Sequence, residues 1–210
     1  MAAAGKVFAI LKATDGTGFT DPAFAAGWVA ADRAGVIRGA YHYFRPAAPA
    51  AAQAEHFAAV VGALNAGDLP PTLDLEERTG WSGTMASRVE AVTQCLDRIS
   101  QLFGRRPIVY TSRSFMTECL GGSTALAASP LWVVDYNRDP PRVPTGWTNW
   151  TFWQHSETGQ AGGVQPIDLD RYRGDLASLR AFVEASVLPA LQPASRSPRR
   201  RSRVRKSSRR

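Results

Sequence analysis

The sequence predicts an α/β fold, an irregular flattened β/α barrel, on three observations. Short runs rich in β-branched and aromatic residues alternate with helical periodicity as far as Leu131. The rhythm then changes to strand-like runs with no helix between them. A 44% apolar composition over 210 residues supplies one core of ordinary domain size, which excludes a collagen, a coiled coil and a wholly disordered chain.

The elements follow in order. Strands are predicted over Val7 to Leu11, Arg38 to Phe44, Thr72 to Glu76, Ile108 to Thr111, Leu131 to Asp135, Thr151 to Gln154 and Ile167 to Leu169. Between the first two, DPAFAAGWVAADRAG reads as a helix with Asp21 as N-cap, Pro22 at its first position and Gly35 as its stop. A second helix buries Phe57, Val60, Val61 and Leu64 along one face. A third buries Val89, Val92, Leu96, Ile99 and Phe103, and Gly104 ends it. A last helix runs from near Asp175 to near Val187. Seven strands with six residues before Val7 predict a barrel short of its first strand, with the edges of two neighbours left open.

Charge divides the chain. Residues 1–188 form the folded domain and carry 16 basic against 18 acidic residues, whereas 189–210 hold nine basic residues and no acidic one. That Arg/Ser-rich tail has too few apolar residues to offset the entropy of ordering and is predicted to be disordered. Counterion release would draw it to a polyanion, whether an anionic wall polymer, a membrane surface or a nucleic acid; the plainer alternative is a solvated extension. Without aromatic interleaving or a nucleic-acid module, sequence-specific nucleic-acid binding is not expected, and no specific protein partner is indicated.

The N-terminus lacks an uninterrupted apolar run with a small-residue cleavage site, so no signal peptide is expected, and no run approaches the roughly 20 apolar residues of a membrane span. Cys95 and Cys119 cannot build a disulfide framework; two free buried thiols are expected, with a single disulfide between them as the alternative. His42, His56 and His155 have no ligand spacing, and Gly16-Thr17-Gly18 lacks the remainder of a phosphate loop, so neither a metal nor another cofactor is predicted.

The chemistry gathers at strand ends. In PPTLDLEE, strand alternation sets Asp74 and Glu76 on one face, roughly 6 to 7 Å apart by strand rise, close enough for one charge to raise the other's pKa. A lone pair of this kind is more often two solvated acids. Tyr41, His42 and Tyr43, Tyr110, Asp135 and Tyr136, Trp153 and Gln154, and Asp168 and Asp170 close successive strands at the same end. Together they describe a groove that stacks on sugar rings and holds hydroxyls, a carbohydrate cleft.

The motifs FAILKATDG, RGAYHYFRP, PPTLDLEE, PIVYTS, LWVVDYN, WTFWQHS and IDLDRYRG, in this order, resemble the glycoside hydrolase family 25 lysozymes, the Chalaropsis-type muramidases. The resemblance covers about residues 7–185. It implies a barrel whose first five strands alternate with helices and whose last three do not. It also implies cleavage of the β-1,4 bond between N-acetylmuramic acid and N-acetylglucosamine in peptidoglycan, at the cell wall or outside the cell. Residue by residue, it implies Glu76 as general acid, Asp74 as the neighbour that orients or stabilises the sugar, Asp168 as the carboxylate of the last strand and Tyr110 as a hydroxyl near the cleaved bond. Tyr41, Tyr43, Asp135, Tyr136, Trp153 and Gln154 would then bind substrate. The attacking group, a second carboxylate or the substrate's own acetamido oxygen, stays open. One departure stands out, because the family opens on a strand bearing D-x-S whose Asp belongs to the catalytic centre, and this chain begins after it. Either that strand lies upstream of Met1, or the protein is a catalytically impaired binder of wall glycan.

Overall fold

One eight-stranded sheet, in the order β2-β1-β3-β4-β5-β6-β7-β8, organises the chain. The computed structural model describes residues 5–161 and 163–188. β1 (Phe8–Asp15) pairs in parallel with β3 (Ile37–Tyr43). Parallel pairing continues through β4 (Thr72–Leu75), β5 (Ile108–Thr111), β6 (Leu131–Val134) and β7 (Phe152–Ala161). β8 (Val164–Tyr172) returns antiparallel to β7, and β2 (Phe19–Thr20) folds back on the end of β1. The helices are α1 (Phe24–Arg33), α2 (Ala50–Val61), α3 (Met85–Phe103), α4 (Arg113–Leu120) and α5 (Leu176–Ala185).

Alternation along the strands divides the core in two. Leu73, Leu75, Val109, Leu131 and Val133 face outward and pack with Phe57, Val92, Ile99 and Phe115 of the helices. Ile108, Tyr110, Trp132 and Phe152 face the other way and meet Leu179 and Val183 of α5. Phe8, Ile37, Ile108 and Phe152, each the first residue of its strand, belong to this inner cluster, so α5 closes the N-terminal end of the strands. Gly39 leaves room for that closure, since a Cβ there would sit 3.0 Å from the Leu69 side chain. The opposite end, where the strands terminate in polar residues, is left open.

The sheet curls until Phe8 of β1 and Phe152 of β7 lie 5.3 Å apart edge to face. It does not close. Among the described residues, β8 pairs only with β7, and the free edge of β1 carries only the two residues of β2. The architecture is therefore a curled open sheet rather than a closed barrel. The strand count is eight rather than seven, because Gly16, at φ 56°, turns the chain back after β1 to form β2.

Other expectations need adjustment. α1 starts at Phe24, not Pro22; Asp21 accepts the Ala23 N–H at 2.8 Å and makes a turn ahead of the helix instead of capping it. Leu64 lies beyond α2, which ends at Val61 before Gly62. α4 was not anticipated, although Ser112 caps it through the Phe115 N–H and Gly121 stops it in the left-handed conformation. The β7–β8 hairpin is much longer than the two short runs expected. α3, its glycine stop and the Asp175 start of α5 agree with the sequence reading. Cys95 and Cys119 are free and buried, and burial pushes the Cys95 thiol up to about 12. The disorder expected of 189–210 falls outside the described residues. Among the described residues, no helix is long and apolar enough to cross a membrane.

A buried histidine ties the open end of the sheet together. Gln53 donates through Nε2 to the carbonyls of Arg45 and Ala48, so its Oε1 is an acceptor for the Arg45 N–H at 2.7 Å and for His42 Nε2 at 3.2 Å. That leaves His42 Nδ1 to accept the Thr14 hydroxyl at 2.7 Å, linking β1, β3 and α2. The site suits only neutral imidazole, and burial lowers the His42 pKa to about 4. The unfolded chain takes up this proton near pH 6.5, so the His42 contribution is intact above 6.5 and is lost as pH falls toward 4. Urea unfolding of the protein and of His42→Gln at pH 7 and pH 4.5 is expected to show a smaller acid loss in the variant, by about 2 kcal/mol.

Candidate active site

Parallel register brings the candidate residues to one level. Tyr43 lies opposite Asp74, and Asp74 opposite Tyr110, on three adjacent strands. Asp74 sits within β4, whose four residues are all buried, and Glu76 follows just past the strand end on the same face. β8 supplies Asp168 and Asp170 from the far side of the curl, again two residues apart on one face.

These groups meet in a cavity of about 530 Å³ that follows the seam between β1 and β8, lined by the chain from Gly5 through Ile10 and by Lys12 as well as by the acids. Tyr41, Asp74, Glu76, Tyr110, Gln154 and Asp168, all expected from the sequence, line it. Asp170, placed in the groove from the sequence, lines it as well, and so do Lys12 and Trp132, to which the sequence does not point. Asp170 accepts the Trp132 indole N–H at 2.8 Å, and the Tyr110 and Tyr136 hydroxyls both donate to Gln154 Oε1, at 2.8 and 2.7 Å. Those two bonds orient the Gln154 amide so that its N–H groups are free to serve a ligand.

Other expected members lie elsewhere. Trp153 is 4% exposed, packs among the helix-facing core and donates to the Asp135 carbonyl, because alternation turns it to the opposite face from Gln154. Asp135 accepts the backbone N–H groups of Asn137 and Arg142 and so shapes the loop after β6 rather than the cleft. Tyr43 and Tyr136 stand at the rim. Tyr43 is flanked by Lys12 and Arg45 at 4.9 and 4.5 Å from its ring, and Tyr136 reaches the cavity through Gln154.

The electrostatics favour protonated acids. Burial, reinforced by the nearby Glu76 carboxylate, raises Asp74 well above the ordinary carboxylate range, and its Oδ1 has no hydrogen-bond partner. Glu76 opens onto solvent, yet desolvation by the cavity walls raises its pKa, with Lys12 opposing and Asp168 adding to the shift. Desolvation, with Glu157 assisting, raises Asp168. Asp170 is pushed up to about 7, mainly by burial and against the Trp132 hydrogen bond. Two acid pairs facing each other across a cleft walled by tyrosine, tryptophan and glutamine are suited to donating a proton to a bound polar substrate and to stabilising positive charge that develops on it. Among the described residues, no group of three or more His, Cys, Asp or Glu side chains is placed to hold a metal.

The sequence profile of Glycosyl hydrolases family 25 matches residues 1–164, and the chain belongs to that family. It is 38% identical over 191 residues to Lysozyme M1 of Streptomyces globisporus, covering 85% of this chain and 64% of that protein. Against N,O-diacetylmuramidase of Chalaropsis sp the identity is 37%, over 76% of this chain and 82% of the relative. The bacterial lysozyme of Streptomyces coelicolor superposes with a TM-score of 0.84 at 36% identity, covering 88% of this chain and 89% of that one. The chain spans less than two thirds of the length of the Streptomyces globisporus protein.

The raised Asp170 carboxyl has a consequence for stability. An acid whose folded pKa lies above its unfolded value destabilises the fold as pH climbs from about 4 through 7, because the folded state resists losing the proton. Asp170→Asn keeps the shape and removes that ionisation. At pH 8 the variant should unfold at higher urea than the parent, by about 2 kcal/mol, and the difference should vanish by pH 4.

Proposed function

We propose that this protein is a muramidase that hydrolyses the β-1,4 bond between N-acetylmuramic acid and N-acetylglucosamine in peptidoglycan, with Glu76 as the general acid. The observation that carries the proposal is the Asp74–Glu76 pair, one carboxyl fully enclosed and the other facing the cleft, both with raised pKa values. A carboxylic acid that stays protonated toward neutral pH can give its proton to the leaving glycosidic oxygen as the C–O bond breaks. Positive charge then builds at the anomeric carbon, where Asp168 in its ionised form stabilises it while Asp74, kept protonated, donates a hydrogen bond to the sugar; water completes the hydrolysis by supplying the new C–O bond, and its proton returns to the Glu76 carboxylate. Tyr110 and Gln154 hold sugar hydroxyls or the acetamido group, and Tyr41 and Tyr43 form the wall against which a ring packs. Family membership and the lysozyme and muramidase relatives support this reading. The substrate places the protein's work at the cell wall or outside the cell.

A second reading, a wall-glycan binder with impaired catalysis, draws on the edges of β1 and β8 beside the cavity: among the described residues, that edge of β1 pairs only with the two residues of β2, and β8 pairs only with β7. One experiment separates the two. Glu76→Gln removes the transferable proton with little change in size, so peptidoglycan hydrolysis should fall about 10² to 10⁴-fold while glycan binding is kept. A parent protein that binds glycan and releases no reducing ends would establish the binder instead. Equal hydrolysis by parent and variant would remove Glu76 from its role.

The basic segment 189–210 is proposed to hold the protein on anionic wall polymers. Deleting Ser195 to Arg210 takes the formal charge from +7 to −2. Cosedimentation with purified walls should be strong and salt-sensitive for the full chain and weak for the shortened one, since exposed charges are screened within about 8 Å at physiological ionic strength. Cleavage of a small uncharged glycan should hardly change.

A further inference from the structure

The C-terminal ends of β1 and β3 carry an ion chain that the chemistry above does not use. Arg45 grips Asp15 with both arms of its guanidinium, Nε to Oδ1 at 2.6 Å and Nη2 to Oδ2 at 2.8 Å, and extends Nη1 to Glu77 at 2.5 Å. Lys12 also approaches Asp15 Oδ2, but only to 3.4 Å. Its ammonium lies 4.9 Å from the Tyr43 ring centroid and 5.7 Å from that of Phe19, and the residue lines the cavity that Asp74 and Glu76 share. Arg45 does not line that cavity.

We infer that Lys12 is a positioning residue that sets the acid strength of the Asp74–Glu76 pair, and that Arg45 controls it from outside the cleft by occupying Asp15. Asp15 can be satisfied by either cation. A bidentate guanidinium is the stronger partner for a carboxylate, so Arg45 takes the close contacts of Asp15, and Lys12, held to it only at 3.4 Å, lines the cavity that the acids share. The anionic and ionisable groups bearing on the pair work the other way. Asp15 of β1, Glu77 after β4 and Asp168 of β8 raise one or both acids, while Lys12 is the cation that lowers both. The neutral hydroxyls of Tyr41, Tyr43 and Tyr110 complete the surroundings, each made harder to ionise by burial and then by the same acids.

The signs that follow are those of simple charge counting; what the chain of contacts adds is that the Arg45 effect depends on Lys12. Removing Lys12 lets both acids hold their protons to higher pH. Removing Arg45 frees Asp15 to capture Lys12, which has the same effect at a distance. Removing Asp15 releases Lys12 toward the acids and lowers their pKa values. The Arg45 effect must pass through Lys12 and should largely disappear when Lys12 is absent.

The inference rests on the proposed role of Glu76, so its test reads titration directly as well as turnover. Carbon-13 NMR of the full-length protein follows the Glu76 side-chain carboxyl with pH, alongside the pH profile of kcat/KM on peptidoglycan. Lys12→Met should raise the Glu76 midpoint by about one pH unit, the low end of what a nearby opposite charge contributes. Arg45→Gln should raise it by about half as much, and Asp15→Asn should lower it. Lys12→Arg should restore the parent midpoint. In the Lys12→Met background, Arg45→Gln should move the midpoint by less than a third of its effect in the parent, which is the coupling a double-mutant cycle isolates. An Arg45→Gln shift that is absent, or equal with and without Lys12, overturns the inference. Absent hydrolysis with the expected titration shifts would instead count against the muramidase reading alone.

Discussion

Asp74 is 5% exposed and its Oδ1 has no hydrogen-bond partner, a costly state for a carboxylate and a tolerable one for a carboxylic acid. The constraint comes from the strand that carries it. β4 is central in the parallel sheet and only four residues long, with Leu73 and Leu75 committed to the helix-facing core. Asp74 has no freedom to turn toward water. Tyr110 is held opposite it on β5, and Tyr41 opposite Thr72 on β3, so the wall of the cleft and the acid inside it are fixed together.

Much else in the molecule keeps that acid end shaped. α5 and the inner aromatic cluster seal the opposite end of the strands, leaving one polar mouth. The Thr14–His42–Gln53 chain joins β1, β3 and α2 directly beneath the rim. Arg45 connects to that chain through its backbone N–H on Gln53, so the residue that grips Asp15 is itself anchored in the core. On the far wall, Trp132 holds Asp170, and two tyrosines hold Gln154. A cleft whose polar groups are fixed before ligand arrives loses little order on binding, which favours both affinity and catalysis.

The sequence made the parallel strands and the acid pair legible because both follow from a period of two. PPTLDLEE gives the face of Asp74 and Glu76 without any knowledge of the neighbours, and α3 announced itself by its apolar spacing and Gly104. Tryptophan beside glutamine at a strand end is equally useful on either face, so only the pairing with β6 and β8 decides that Gln154 enters the cleft and Trp153 the core. Asp135 is ambiguous for a similar reason, since a turn-forming aspartate and a ligand-binding one share the same local sequence, and here it accepts the N–H groups of Asn137 and Arg142. Lys12 carried no signal, being one lysine in an apolar strand; its place depends on β2 folding back and on Arg45, 33 positions later, reaching Asp15. Short α4 could have been found, with Ser112 before it, Gly121 after it and Phe115, Met116, Cys119 and Leu120 buried between.

The central claim, that the cleft binds a muramyl glycan with its scissile bond at the Asp74–Glu76 pair, is tested most directly by a crystal structure of Glu76→Gln with an N-acetylglucosamine–N-acetylmuramic acid oligomer. The account predicts a glycosidic oxygen within hydrogen-bond reach of the residue 76 side chain, about 2.6 to 3.2 Å, with the reducing-side and non-reducing-side sugars on either side of it. A glycan ordered along another surface, or crossing the cleft with no glycosidic oxygen near residue 76, would contradict it.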